Sequence, residues 1–71
     1  MNKIPLGMYQ HFKGNFYRVL HLATHSETEE VMVVYQPQYG EQDIWVRPLS
    51  MFDETIERDG KQLKRFRFIE E

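Results

Sequence analysis

The chain has 71 residues, no cysteine, a net charge of −2 and ten aromatic residues. That length suits one small domain, and the missing cysteine excludes disulfides, thiolate zinc sites and thiol nucleophiles. The near balance of charge excludes a general basic field of the kind that draws nucleic acid. An apolar share of 41% argues against disorder. A core this small then rests on dense aromatic packing or on assembly.

Residues 1–71 read as one domain, with residues 1–6 a flexible lead. That lead has one lysine and no long apolar stretch, so it is not a secretion signal. The longest apolar run, Val31 to Tyr35, is far short of the roughly 20 residues a membrane helix needs. Turn residues then break the chain every ten or so residues, which is the rhythm of a small all-β fold. Met8 to Phe12 is a first strand, closed by Lys13-Gly14-Asn15. Phe16 to Ala23 is apolar in both alternating phases, so it is covered on both faces or bends and changes face midway. Thr24 to Glu30 is a polar, acidic turn in which Thr24 or Ser26 caps.

Val31 to Gln36 is a strand that Pro37 ends, and Gln38 to Asp43 is a hairpin loop turning at Gly40. Ile44 to Arg47 alternates cleanly. With Ile44 and Val46 facing the core, Trp45 and Arg47 face outward; the opposite phase, with Trp45 as a core anchor, stays open. Leu49 to Glu54 lacks alternation and reads as one helical turn that sets Leu49 and Phe52 against the core. Thr55 to Arg58, the dipeptide Asp59-Gly60 and Gln62 to Ile69 form a last hairpin, with Phe66 and Phe68 inward. Five to six short strands and one helical turn predict a small, SH3-like, partly open β-barrel. An OB-like barrel is the alternative, and a dimerising hairpin meander comes third.

Several phrases stand together: Tyr9-Gln10-His11-Phe12-Lys13-Gly14-Asn15, His25-Ser26-Glu27-Thr28, Val33-Val34-Tyr35-Gln36 with Tyr39-Gly40, Trp45 through Phe52, Asp59-Gly60-Lys61 and Arg65-Phe66. In this order they resemble the small bacterial domain-of-unknown-function family 1653 from Gly7 to about Ile69. The resemblance implies a cytoplasmic bacterial protein and a stand-alone domain. It carries no activity and no catalytic residues.

Four groups are candidates for function. His25, Ser26 and Glu27 suggest a small enzyme or ligand sensor, but sequence neighbours on an extended loop point apart, and a locally bonded polar turn is the better account of them. His21 and His25 are four apart, yet one sits in a strand and one in a loop, so no metal site is expected. With no glycine-rich phosphate loop, no cofactor is expected either. The run Arg58, Lys61, Lys64, Arg65 and Arg67 fits a charge-guarded edge strand, or a phosphate-contacting strand of an RNA or single-stranded nucleic-acid module. The fourth group is Tyr35, Tyr39, Trp45 and Arg47, an aromatic and guanidinium surface with the residue types of binding hot spots. Of these, a non-enzymatic module binding a peptide or protein partner, as a monomer or weak homodimer, is the leading expectation.

Overall fold

The computed structural model describes residues 4–71. Along the chain run β1 (Gly7–His11), β2 (Phe16–Thr24), β3 (Val31–Pro37), β4 (Trp45–Pro48), α1 (Leu49–Phe52), β5 (Thr55–Arg58), β6 (Lys61–Lys64) and β7 (Phe66–Glu70). Antiparallel pairing gives a five-stranded sheet in the order β4-β3-β2-β1-β7, and β5 and β6 pair as a separate hairpin. The architecture is a partly open β fold, curled but not closed into a barrel.

The curl has a local cause. β2 pairs Val19 with Tyr35 and then His21 with Val34, so Leu20 is an extra residue in the ladder. A bulge of this kind bends a strand and raises its twist. It also shifts the inward phase of β2 from Tyr17 and Val19, both buried, to Leu22, which packs against the core. The two apolar phases of this segment are thus one strand changing face midway.

The core is Tyr9, Tyr17, Val19, Val33, Tyr35, Phe52 and Phe66. Phe52, delivered by the single turn of α1, is its plug. Its ring stacks on Phe66 at 4.1 Å and 3°, and meets Tyr9 and Tyr35 edge-on at 5.4 and 5.3 Å. Each such pair contributes about 0.5–1.5 kcal/mol beyond the area it buries. This is how a short chain without cross-links finds its cohesion. Residues 1–3 of the expected lead lie outside the described residues. Ile4 packs against the core, and the Tyr9 hydroxyl donates to the Pro5 carbonyl at 2.7 Å.

The last strand differs from expectation in two respects. Residues 61–70 are two strands, separated at Arg65. The Arg65 N–H donates to the Glu54 carbonyl and its carbonyl accepts from the Phe12 N–H, so one residue ties the hairpin to the sheet. Phe68 keeps the inward phase expected with Phe66, opposite the buried Tyr9, but the edge position of β7 leaves it partly uncovered rather than core. Phe66 is buried, while Phe68 lies on the outermost strand, 40% exposed, with one face against Tyr9.

β1 and β7 approach closely at Gly7, where the register slips between Met8 and Tyr9. Gly7 has φ +133, and a Cβ there would run into the Glu70 carbonyl oxygen and lie 2.7 Å from Glu71 Cα. At Gly60, φ is +76 but a Cβ would meet open space. Gly7→Ala is therefore expected to cost about 2–4 kcal/mol and Gly60→Ala about 1 kcal/mol, read from urea unfolding midpoints.

Candidate functional site: an aromatic groove at the open edge

β4 is the outermost strand on one side of the sheet. Its register with β3 sets Trp45 opposite Tyr35 and Arg47 opposite Val33, while Val46 faces Val34. Paired residues share a face, and Tyr35 and Val33 point into the core. Trp45 and Arg47 are thus on the core side, and Val46, at 62% exposure, is on the outer side with Ile44 exposed beside it. The expected phase of β4 is reversed. β-branched residues at 44 and 46 suggested a buried face, but the register with β3 decides, and among the described residues no further strand covers the edge.

Tyr35, expected on the surface, is only 2% exposed. Val19 and Trp45 flank it across the sheet, and Phe52 lies 5.3 Å away. Trp45 and Tyr39, by contrast, each keep 44% of their surface open even though their rings touch the core. Tyr17 supports both. Its ring lies 5.7 Å from Tyr39 and 6.5 Å from Trp45, and its hydroxyl shares a 2.7 Å hydrogen bond with that of Tyr39. Burial first, and then this bond, push the Tyr17 hydroxyl up to about 12, so it stays protonated. Trp45 also meets Tyr35 edge-on at 6.0 Å.

Tyr39 and Trp45 wall a hollow of about 230 Å³ that Pro37, Gly40, Glu41, Gln42 and Asp43 also line. The loop that forms it is tethered. The Gln38 N–H donates to the Phe16 carbonyl at 2.9 Å, and the Gln36 amide donates to the Gln42 carbonyl at 2.7 Å. Sequence reasoning found Trp45 and Tyr39 but missed Tyr17 as their support and Pro37, Glu41 and Asp43 as lining. The signal was there: a proline, two aromatics and two acids lie within nine consecutive residues, 37–45.

Arg47 lies farther along the same face, partly covered, with its guanidinium carbon 5.8 Å from the Phe66 ring centre. It is near His11, whose ring packs against Phe12 at 4.4 Å and Phe66 at 4.9 Å. The His11 Nδ1 accepts from the Lys13 N–H at 3.1 Å. Burial, then the charges of Arg65, Lys13 and Arg47, hold His11 below its ordinary 6.5.

His25 does not join this site. It lies beyond the far end of β3, roughly 20 Å of strand from the groove. Its Nδ1 accepts from the N–H groups of Glu27 and Thr28 at 3.1 and 3.3 Å, so His25, not Thr24 or Ser26, caps the turn. The ring nitrogen that a Ser–His pair needs is occupied by the backbone. The basic run is also partly engaged: Lys64 pairs with Asp53 at 3.1 Å, Arg65 pairs with Glu54 at 3.0 Å, and Arg67 donates to Gln10 at 2.8 Å. Arg58 lies over the Phe12 ring at 5.4 Å. Among the described residues, no three His, Asp or Glu side chains gather as a metal site, and no helix is long and apolar enough to cross a membrane.

A small, partly open antiparallel β domain with an aromatic groove on one edge is thus the class of molecule in hand. The chain belongs to the family described as "Protein of unknown function (DUF1653)", which it matches over residues 7–68. It is similar to the crystal structure of a DUF1653 protein from Bordetella bronchiseptica, with 33% identity and a TM-score of 0.84, covering 94% of this chain and 88% of that one. No curated protein matches the chain.

The state of His11 yields a pH prediction. Because its folded pKa is depressed, the unfolded chain takes up the proton first as the solution is acidified. The stability that neutral His11 contributes is complete above 6.5 and is lost as pH falls through the folded pKa. Between about pH 7.5 and about pH 5, unfolding midpoints of the natural protein should fall more than those of His11→Asn, which keeps an acceptor for the Lys13 N–H but has no proton to take up.

Proposed function

We propose that the protein is a non-enzymatic binding module that engages an extended peptide segment of a partner protein through the groove walled by Trp45 and Tyr39. The observation that carries this reading is the pairing of exposure with rigidity. Two large rings are 44% open, and both rest on the buried Tyr17. Aromatics held by a core and left uncovered cost little side-chain entropy to bury on a partner, which is the character of a hot spot. The hollow is small beside an ordinary ligand pocket. It measures about 230 Å³, whereas small-molecule pockets run to about 300–1,000 Å³. One or two side chains of an extended segment fill it, a mode used by aromatic-lined peptide grooves. A curled sheet with a separate hairpin suits an SH3-like description of the fold. The family resemblance supports a bacterial, cytoplasmic setting, with the protein acting as a monomer or weak homodimer.

Trp45 is the only tryptophan in the chain, so it reports on its own site. Peptides selected on the immobilised protein from a displayed random library should shift Trp45 emission saturably. Trp45→Ala should lose them in a binding assay while its circular dichroism stays that of the natural protein. Selected peptides that leave Trp45 emission unmoved, or that bind the folded Trp45→Ala protein as well, would contradict the proposal.

A further inference from the structure

We infer that the groove selects segments carrying arginine next to proline or apolar residues, an inference that rests on the peptide-binding reading above. Glu41 and Asp43 line the same hollow as Pro37, Tyr39 and Trp45. Both acids are exposed, and the ion pairs formed among the described residues, Lys64–Asp53 and Arg65–Glu54, leave them without a cation. Two uncommitted carboxylates therefore stand beside two open aromatic rings.

Guanidinium answers both features at once. Its flat face stacks on an indole or phenol ring, and its in-plane N–H groups fork onto a carboxylate. A lysine ammonium has the charge without the plane, so it satisfies the acids but stacks less well. The chain's own Arg47 does not supply this group, because its guanidinium is placed over Phe66, on the far side of Trp45 in sequence from Asp43. The apolar walls formed by Pro37, Tyr39 and Trp45 accept the ridges of an extended, proline-rich segment, which gives up little conformational entropy on binding. The loop presenting the acids is tethered by the Gln36 side chain to the Gln42 carbonyl, so the backbone between them is held beside the rings. A net charge of −2 adds to the attraction for a cationic partner.

The test uses three synthetic ten-residue peptides of one Pro- and Ala-rich sequence, carrying Arg, Gln or Glu at the same positions. Each is titrated against the natural protein and against Glu41→Gln/Asp43→Asn, with Trp45 emission as the readout. The Arg peptide should bind tightest, the Glu peptide weakest, and the double variant should weaken the Arg peptide about fivefold, as two partly exposed ion pairs would. Added salt should weaken it further. If the Gln or Glu peptide binds the natural protein as well as the Arg peptide does, or the double variant binds the Arg peptide unchanged, the arginine preference is overturned and the groove remains a peptide site. If neither these peptides nor library-selected ones move Trp45, the peptide-binding reading falls with it. A single-stranded RNA that shifts Trp45 more strongly than the Arg peptide overturns both.

Discussion

The Tyr17 ring meets five others: His11, Tyr35, Tyr39, Trp45 and Phe66. Tyr35 and Phe66 belong to the buried core, while Tyr39 and Trp45 form the open wall of the groove. One side chain thus joins what holds the protein together to what it presents. A contact network of this kind fixes ring orientations in advance, so a segment bound as proposed would meet a surface that needs little reorganisation. The hydroxyl bond between Tyr17 and Tyr39 adds direction to the packing, because it holds the loop ring over the sheet end.

The position of the groove follows from the shape of the sheet. The bulge at Leu20 curls the sheet, Phe52 of α1 plugs its concave face, and Arg65 ties the β5–β6 hairpin across one side. On the other side β4 is four residues long and, among the described residues, has no outer neighbour. Pro48 ends it, which limits further strand pairing at that edge. The inward face of an edge strand is only partly roofed, so Trp45 touches the core and still sees solvent. The choice between anchor and exposed ligand residue, open at the level of sequence, resolves into a ring that is both packed and accessible.

Turn residues and alternation made much legible in the sequence: the all-β class, the helical turn that buries Phe52, the turn at Asp59-Gly60, and a face change in β2 as one of two alternatives. What local pattern does not carry is which strand lies beside which. Ile44 and Val46 have the composition of a buried face, and only pairing with β3 shows that they face outward. The same missing information misplaced Tyr35, whose burial depends on Trp45 and Val19 lying across from it. Phe68 has the inward phase that alternation assigns, but its strand lies at the edge of the sheet, so it is less covered than its pattern suggests. Of the expected site residues, Trp45 and Tyr39 come together in the groove, Arg47 shares their face, Tyr35 lies beneath them and His25 caps a distant turn.

Tyr35 is closed into the core, whereas Trp45, its cross-strand partner, keeps 44% of its surface open. Urea unfolding of Tyr35→Ala and Trp45→Ala compares them most directly. Removing the buried ring should cost about 3–5 kcal/mol, and removing the half-open one about 1–2 kcal/mol. Equal and large losses at both positions would make Trp45 a core residue and contradict the account.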